Sequence, residues 1–493
     1  MNAQTVQETI ELVKGAYTLN KTVTTANDLV AYDLQAPAKN LYPVVTPLRN
    51  KIPRVPGKGG VATNWRTVKA IIGSGYDSSP WIPEGQRSAR MSYSTAPVAA
   101  NYVTIGEEDA VTFEAEHAGE GFEDVRATMA TRLLQKTMLK EENAILGGNG
   151  SLQLGTPGAP ALSAAGTTGT LPAATYSVKA VALTLEGYIN SSVAAGVATV
   201  KNITGADGQQ YTLNGGSSNI SAGATQAVTL GQILAATVAN VVGAVAYAWF
   251  VGAAGSETLQ AITTINSATF SAPLLTGKQP ATAITADCSA NPGLAFDGLI
   301  TTAFNPANNA YVITLPTGDA GQGTPLTPSG KGSVEEIDMM FKAMWDLYEL
   351  SPTVLYVNSQ ELQNLTKKVL TSNSAPLLRV NTDAQSEQPF RLAANGTISF
   401  YFNPFTADGG KMIPVLLHPK VPPGTIIGWC QELPLWYQNN QVSNVAEVHT
   451  RQDYYQLDYP ITKRMWESGV YAEEVLAVYA PFAMGILTNI GNG

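Results

Sequence analysis

The stretch that most constrains this chain is Gly121 to Gly148, GFEDVRATMATRLLQKTMLKEENAILGG, whose apolar spacing predicts one long helix. Phe122, Val125, Met129 and Leu133 recur at three- and four-residue steps, and Leu134, Met138 and Ile145 continue a broad apolar stripe. Glu120, Glu123 and Asp124 lie in the first turns, where the positive end of the helix dipole favours anions. Gly147 and Gly148 predict a left-handed stop. At about 1.5 Å per residue the helix is roughly 37 Å long, the width of a small domain. Such a strut needs a surface to cover its stripe, and the remaining segments have to supply it.

Before the strut, residues 4 to 19 read as a short amphipathic helix with Val6, Ile10, Val13 and Tyr17 on one side. Ala26 to Leu48 is an extended strap in which Pro37, Pro43 and Pro47 exclude a regular helix. Ile52 to Val111 alternates like a long hairpin, Val61 to Val68 going out and Ala96 to Ile105 coming back. Its tip holds Pro80-Trp81-Ile82-Pro83-Glu84-Gly85, Arg87 and Arg90. An isolated hairpin of this length is not stable in water, so it implies a partner surface or an ordinary sheet edge.

After the strut the character changes at Gly155-Thr156-Pro157. From there to about Ala283 the only charged residues are Lys179, Glu186, Lys201, Asp207, Glu257 and Lys278, and short alternating runs are separated by glycine, asparagine and serine turns. Tyr176 to Leu183 followed by a Glu186-Gly187 turn, Ala244 to Val251, and two strands within Leu259 to Phe270 fit an all-β sandwich of immunoglobulin or fibronectin type III kind. Tyr247 and Trp249 should share one face and Phe250 the other. Leu294 to Ile300 resumes the earlier mixed style, so the sandwich reads as an insertion. From Ser333 the pattern is α/β: a capping box of Ser333 and Glu336 opens a helix, Thr353 to Val357 is a buried strand, and Asn358 or Ser359 caps a second helix to about Leu370. Strands follow at Thr397 to Phe402, Met412 to Leu417 and Thr425 to Gln431, then long alternating runs at Val445 to Ile461 and Val470 to Tyr479.

The chemistry-bearing residues do not assemble into a catalytic motif. His117, His418 and His449 have no partner at metal-ligand spacing, and Cys288 and Cys430 are too few for a disulfide framework or a four-cysteine zinc site. Glu107-Glu108-Asp109 and Glu141-Glu142 read as a solvated turn and a solvated helix face, since chain neighbours point apart. Gly57-Lys58-Gly59-Gly60 lacks the spacing of a phosphate loop, and no nucleophile elbow occurs. The expectation is no enzyme, no metal and no cofactor. Arg132, Lys136 and Lys140 form a basic line along the strut, either a solvated face relieved by Glu141 and Glu142 or a contact with an acidic neighbour or nucleic acid. A net charge of -9 disfavours a nucleic-acid reader, and a charged fraction of 14%, against roughly 25% in ordinary soluble domains, suggests surface hidden against copies or partners. Glu8 and Glu11 stand where a signal peptide would need cations, and the apolar run Val238 to Ala254 is too short and broken to span a bilayer.

These parts in this order resemble the major capsid proteins of tailed bacteriophages with the HK97-type fold. The resemblance is carried by the arm, the long hairpin, the long helix ending in Ile145-Leu146-Gly147-Gly148-Asn149-Gly150, Phe296-Asp297-Gly298-Leu299, and above all the closing segment from Tyr454-Tyr455-Gln456-Leu457-Asp458-Tyr459-Pro460 through Arg464 to Phe482. It implies an α+β fold with an N-terminal arm (1–50), an E-loop (51–112), a peripheral domain with the spine helix (113–155 and 441–493), an inserted immunoglobulin-like or fibronectin type III-like sandwich (156–291) and an axial domain (292–440). It further implies a homo-oligomeric shell of pentamers and hexamers around double-stranded DNA, a virion component assembled in the bacterial cytoplasm. Portal, decoration and separate scaffolding proteins would be its partners, and no membrane is involved. Trp65, Arg66, Trp81, Arg87 and Arg90 on the hairpin and Arg132, Lys136 and Lys140 on the helix are the candidate assembly contacts. Self-crosslinking through Lys58 or Lys69 is not expected, because no buried carboxylate is visible to act as base. The insert would project outward, either as a glycan-binding module or as a stabilising one without ligand. Alternatives are an encapsulin-like nanocompartment shell enclosing enzyme cargo, and a secreted glycan-active enzyme, which the missing signal peptide and carboxylate pair disfavour.

Overall fold

The computed structural model describes residues 43–57, 59–72, 81–88, 90–121, 123–204, 208–330, 332–371, 398–407, 409–434 and 444–491. The expected helix over residues 4 to 19, most of the proline-punctuated strap, Lys58 and Phe122 lie outside these residues. Twenty-one strands and six α-helices among the described residues make an α+β protein with more strand than helix.

In chain order, β1 (Arg54–Pro56) leads to β2 (Ala62–Ile72), β3 (Ser92–Asn101) and β4 (Val103–Thr112). The expected return strand Ala96 to Ile105 is thus two strands broken at Tyr102, and only the first belongs to the hairpin. Glu107-Glu108-Asp109, expected as a solvated turn, lies inside β4, where alternation turns successive carboxylates to opposite faces.

The expected single helix is divided into α1 (Phe113–Gly119) and α2 (Val125–Gly147). Each has its own N-cap: Thr112 Oγ1 accepts from the Ala115 N–H at 3.2 Å and Asp124 Oδ1 from that of Ala127 at 3.0 Å. Gly121, at φ +80°, turns the chain between them. The left-handed stop does not occur, since Gly148 has φ −54° and ψ 145°. Glycine is required there by space instead. A Cβ on Gly147 would lie 2.4 Å from Leu185 Cδ2, and one on Gly148 would lie 2.7 Å from the Phe296 carbonyl oxygen.

The charge-poor segment contains β5 (Ala161–Ala165), β6 (Ala174–Leu183), α3 (Leu185–Asn190), β7 (Val200–Thr204), β8 (Gln210–Asn214), β9 (Ala224–Val228), β10 (Ile233–Thr237), β11 (Ala246–Gly252), β12 (Thr258–Thr263) and β13 (Ser267–Phe270). The Glu186-Gly187 pair, expected in a turn, falls in α3, whose N-cap Thr184 accepts from the Gly187 N–H. Sheet β13-β10-β5 faces sheet β12-β11-β6-β9 over a core of Val178, Leu234, Trp249 and Phe270. Phe250 and Ala248 point the other way, into a second core with Val181, Leu183, Val197, Leu259 and Ile284. That extra cover explains why β11 is buried along its whole length. The outgoing and returning chains run side by side: the Asn291 N–H donates to the Asn149 carbonyl at 2.9 Å and Asn149 Nδ2 to the Ser289 carbonyl at 2.7 Å.

The remaining elements are α4 (Leu299–Phe304), β14 (Tyr311–Thr314), α5 (Glu335–Tyr348), β15 (Val354–Val357), α6 (Ser359–Thr371), β16 (Phe400–Asn403), β17 (Lys411–Leu417), β18 (Ile426–Trp429), β19 (Ala446–Asp458), β20 (Met465–Val478) and β21 (Met484–Thr488). The expected capping box does not form. Ser333 Oγ donates to Asp338 at 2.6 Å, and the Glu336 carboxylate accepts from the Thr327 N–H at 3.0 Å, because Thr327 and Ser329 pair with Glu335 and Ser333 before the helix. Six strands, β14-β21-β18-β15-β17-β16, form one mixed sheet. On it pack Ile337, Met340, Phe341 and Met344 of α5 with Leu365 of α6. A second sheet, β1-β19-β20-β4, receives Met129 and Leu133 of α2 against Val111 and Val470. α2 is 23 residues long, and its apolar stripe covers this sheet.

Candidate functional site

Strands β2 and β3 pair as an antiparallel ribbon from Ala62↔Asn101 to Ile72↔Ser92. None of its side chains with described burial is buried. The ribbon is fastened at its base: the Trp65 ring meets the Tyr479 ring edge-on at 5.5 Å, Tyr102 N donates to the Val61 carbonyl at 3.0 Å, and Arg451 Nη1 reaches the Gly60 carbonyl at 3.4 Å. Beyond the base, Arg66, Arg87 and Arg90 are exposed, and Trp81 is 86% exposed. Trp65 therefore anchors the ribbon to its own subunit, while Arg66, Trp81, Arg87 and Arg90 stand on its free surface.

Behind the base lies a buried charge cluster. Glu141 and Glu142, expected on a solvated helix face, are 1% and 0% exposed, because the strap residues 43–57 and the sheet close over this side of α2. Arg49 Nε donates to Glu141 at 2.7 Å, and Arg54 Nη1 and the Tyr454 hydroxyl also donate to Glu141. Glu142 accepts from the backbone N–H groups of Leu48 and Arg49 at 2.9 and 2.8 Å and lies 2.6 Å from His418 Nε2. Arg54 Nη2 reaches Asp453 at 2.6 Å and Glu474 at 3.0 Å. Burial opposes the charge of Arg54, but Glu141, Asp453 and Glu474 outweigh it and hold its pKa above the ordinary value. Burial also opposes ionisation of Asp453, yet Arg54 holds that carboxyl below the usual range. Glu474 goes the other way: burial first, then the Glu141 charge, push it up to about 8 against the pull of Arg54.

The basic line is not relieved by Glu141 and Glu142. Lys140 turns to Glu107 at 2.7 Å and to the Gly106 carbonyl at 3.0 Å, whereas Arg132 and Lys136 are exposed. The structure thus brings Lys140 into the subunit and leaves the other two on its surface. His117 is exposed beside Glu120, His418 is buried on Glu142, and His449 lies 2.8 Å from the Tyr479 hydroxyl. Among the described residues no three His, Cys, Asp or Glu side chains converge as metal ligands. Both cysteines are free and buried, and burial pushes the Cys430 thiol up to about 12. A cleft of about 720 Å³ between α2, α3, β4 and the β7–β8 hairpin is walled mainly by apolar side chains such as Ile105, Leu185, Ile203 and Phe296. The geometry offers an exposed ribbon and a buried charge clasp.

Sequence reasoning missed Arg49, Arg54, Asp453, Tyr454, Glu474 and His418 as one constellation. One signal was available. Glu473-Glu474 interrupts the apolar run Val470 to Val478, and alternation must turn one of the two carboxylates inward.

No family model matches this chain, and no curated protein does. Solved structures do. The chain is similar to capsid shell subunits. The capsid of a native GTA particle matches with a TM-score of 0.43 at 11% identity over 96% of this chain and 100% of that one. The Microbacterium phage Oxtober96 structure matches with a TM-score of 0.42 at 7% identity over 95% and 99% of the two chains. The SrpI encapsulin of Synechococcus elongatus matches with a TM-score of 0.39 at 9% identity over 96% and 97%.

Proposed function

We propose that the protein is a capsid shell subunit of the HK97 type that assembles with copies of itself, its β2–β3 ribbon lying on a neighbouring copy. The carrying observation is the ribbon, with strands of 11 and 10 residues and no buried side chain among those described. A lone two-stranded ribbon is at best marginal in water, so it takes its cover from another chain. In this reading residues 1–50 are the arm, 51–112 the E-loop, 113–155 and 441–493 the peripheral domain with α2 as its spine, and 292–440 the axial domain. Residues 156–291 are an inserted immunoglobulin-like unit that faces outward and has glycans as its candidate ligands. The shell is an icosahedral phage head of pentamers and hexamers around double-stranded DNA, built in the host cytoplasm with separate scaffolding, portal and decoration proteins. Arg66, Trp81, Arg87 and Arg90 contact the neighbour, and Arg132 and Lys136 face either a neighbour or the packaged DNA.

Light scattering of the protein purified after expression with the other head proteins, followed by nuclease treatment, tests this. Particles of hundreds of subunits retaining nuclease-protected DNA are expected. Particles holding a protein cargo instead would favour the nanocompartment, and a dispersed monomer at high concentration would refute shell formation.

A further inference from the structure

The β7–β8 hairpin is a second two-stranded ribbon, hydrogen-bonded into no larger sheet among the described residues. Its register, Lys201↔Leu213 and Ile203↔Tyr211, gathers these four side chains on one face and leaves Asn202, Thr204, Gln210 and Thr212 on the other. Ile203 and Leu213 line the cleft of about 720 Å³, together with Ile105 of β4, Leu185 of α3 and Phe296. Ile203 and Tyr211 are nonetheless 42% and 50% exposed, so the subunit leaves this apolar face uncovered. Glu186 of α3 lines the same cleft. It is only partly exposed, has no hydrogen bond or ion pair among the described residues, and burial raises its pKa. A partly buried carboxylate without a cation is a cost that an incoming cation removes.

The β2–β3 ribbon carries the complementary chemistry at its far end. Trp81 and Ile82 are 86% and 53% exposed, and the exposed Arg87 and Arg90 that follow have no acidic partner among the described residues. A subunit does not seat its own tip. Val103 and Ile105 of the cleft follow Asn101 at the base of the ribbon, and strands of this length, at about 3.4 Å per residue, carry the tip roughly 30 Å away. A tip meeting the base of another copy joins two different surfaces, which is the head-to-tail geometry that closes into rings. We propose that the cleft between α2, α3, β4 and the β7–β8 hairpin receives the ribbon tip of a second copy, with Trp81 and Ile82 against its apolar walls and the Arg87 and Arg90 guanidinium groups beside Glu186. This rests on the shell reading of the ribbon and adds the surface that receives it. It also gives the β7–β8 hairpin of the inserted unit a part in assembly.

Photocrosslinking of assembled full-length protein tests the receptor, with p-benzoylphenylalanine in place of Ile82 and isotope-labelled subunits mixed with unlabelled ones. Mass spectrometry is expected to find adducts on α3 or the β7–β8 hairpin that join labelled to unlabelled chains. Adducts between copies that fall elsewhere on the neighbour would overturn this inference and leave the ribbon reading standing. Adducts confined to one chain, or a protein that stays dispersed, would overturn both. Glu186→Gln supplies a second measurement. It should raise the concentration needed for assembly by about tenfold, as loss of a charge-assisted contact does, while the urea midpoint of the subunit stays the same or rises. Wild-type assembly of that variant would overturn the pairing of Glu186 with the tip arginines.

Discussion

The two long hairpins of this molecule, β2–β3 and β19–β20, have similar lengths and opposite surroundings. Strand β20 buries Val470, Ala472 and every residue from Glu474 to Val478, and its hairpin is flanked by β1, β4 and α2. The β2–β3 ribbon buries no side chain among those described and is held at its base by Trp65, Tyr102 and Gly60. Alternation of apolar and polar residues is present in both. What separates them is what stands alongside, which shows that a strand pattern specifies pairing while neighbouring elements decide whether the pair is core or interface.

The contrast can be broken most severely at the clasp. Glu141→Ala removes the carboxylate shared by Arg49, Arg54 and Tyr454, leaves Arg54 on Asp453 and Glu474 and Arg49 on the Tyr454 hydroxyl, and is expected to cost about 3–5 kcal/mol, read as a lower denaturation midpoint in urea. Leu476→Ala, in the buried end of β20, should cost about 2–5 kcal/mol by the same measurement. Smaller still, per pH unit, is the pH term. Because the Glu474 carboxyl is raised from 4.5 to about 8 by burial and by Glu141, stability should fall as pH rises between those values, by at most about 1.4 kcal/mol per pH unit. Glu474→Gln should remove that slope. On the ribbon, Trp81→Ala should change subunit stability by less than about 0.5 kcal/mol. The same substitution should raise the concentration needed for assembly by about tenfold or more, as loss of an exposed aromatic anchor does at interfaces. A Trp81 variant that unfolds the subunit would erase the distinction between the hairpins.

Much of this organisation was legible in the residues. The long hairpin, the apolar stripe of α2, the opposed faces of Trp249 and Phe250, and the late strands follow from periodicity, which short-range chemistry dictates. Most of the misplaced features have their physical origin in approach by distant segments, and the capping box fails to a competing local turn. Glu141 and Glu142 look solvated by position along the helix and are buried by residues more than 90 positions earlier in the chain. Gly147 and Gly148 have the appearance of a left-handed stop and instead admit Leu185 and the Phe296 carbonyl. Ser333 and Glu336 have capping-box spacing, but Asp338 and Thr327 take their hydrogen bonds. The charge cluster needed five segments brought together before its residues could be read as one site.

Image reconstruction of particles formed by the purified protein tests shell assembly through the ribbon most directly. The account predicts closed shells in which density for residues 62–101 lies against a second copy of the chain. Particles in which that ribbon folds back on its own subunit, or a field of dispersed monomers, would contradict it.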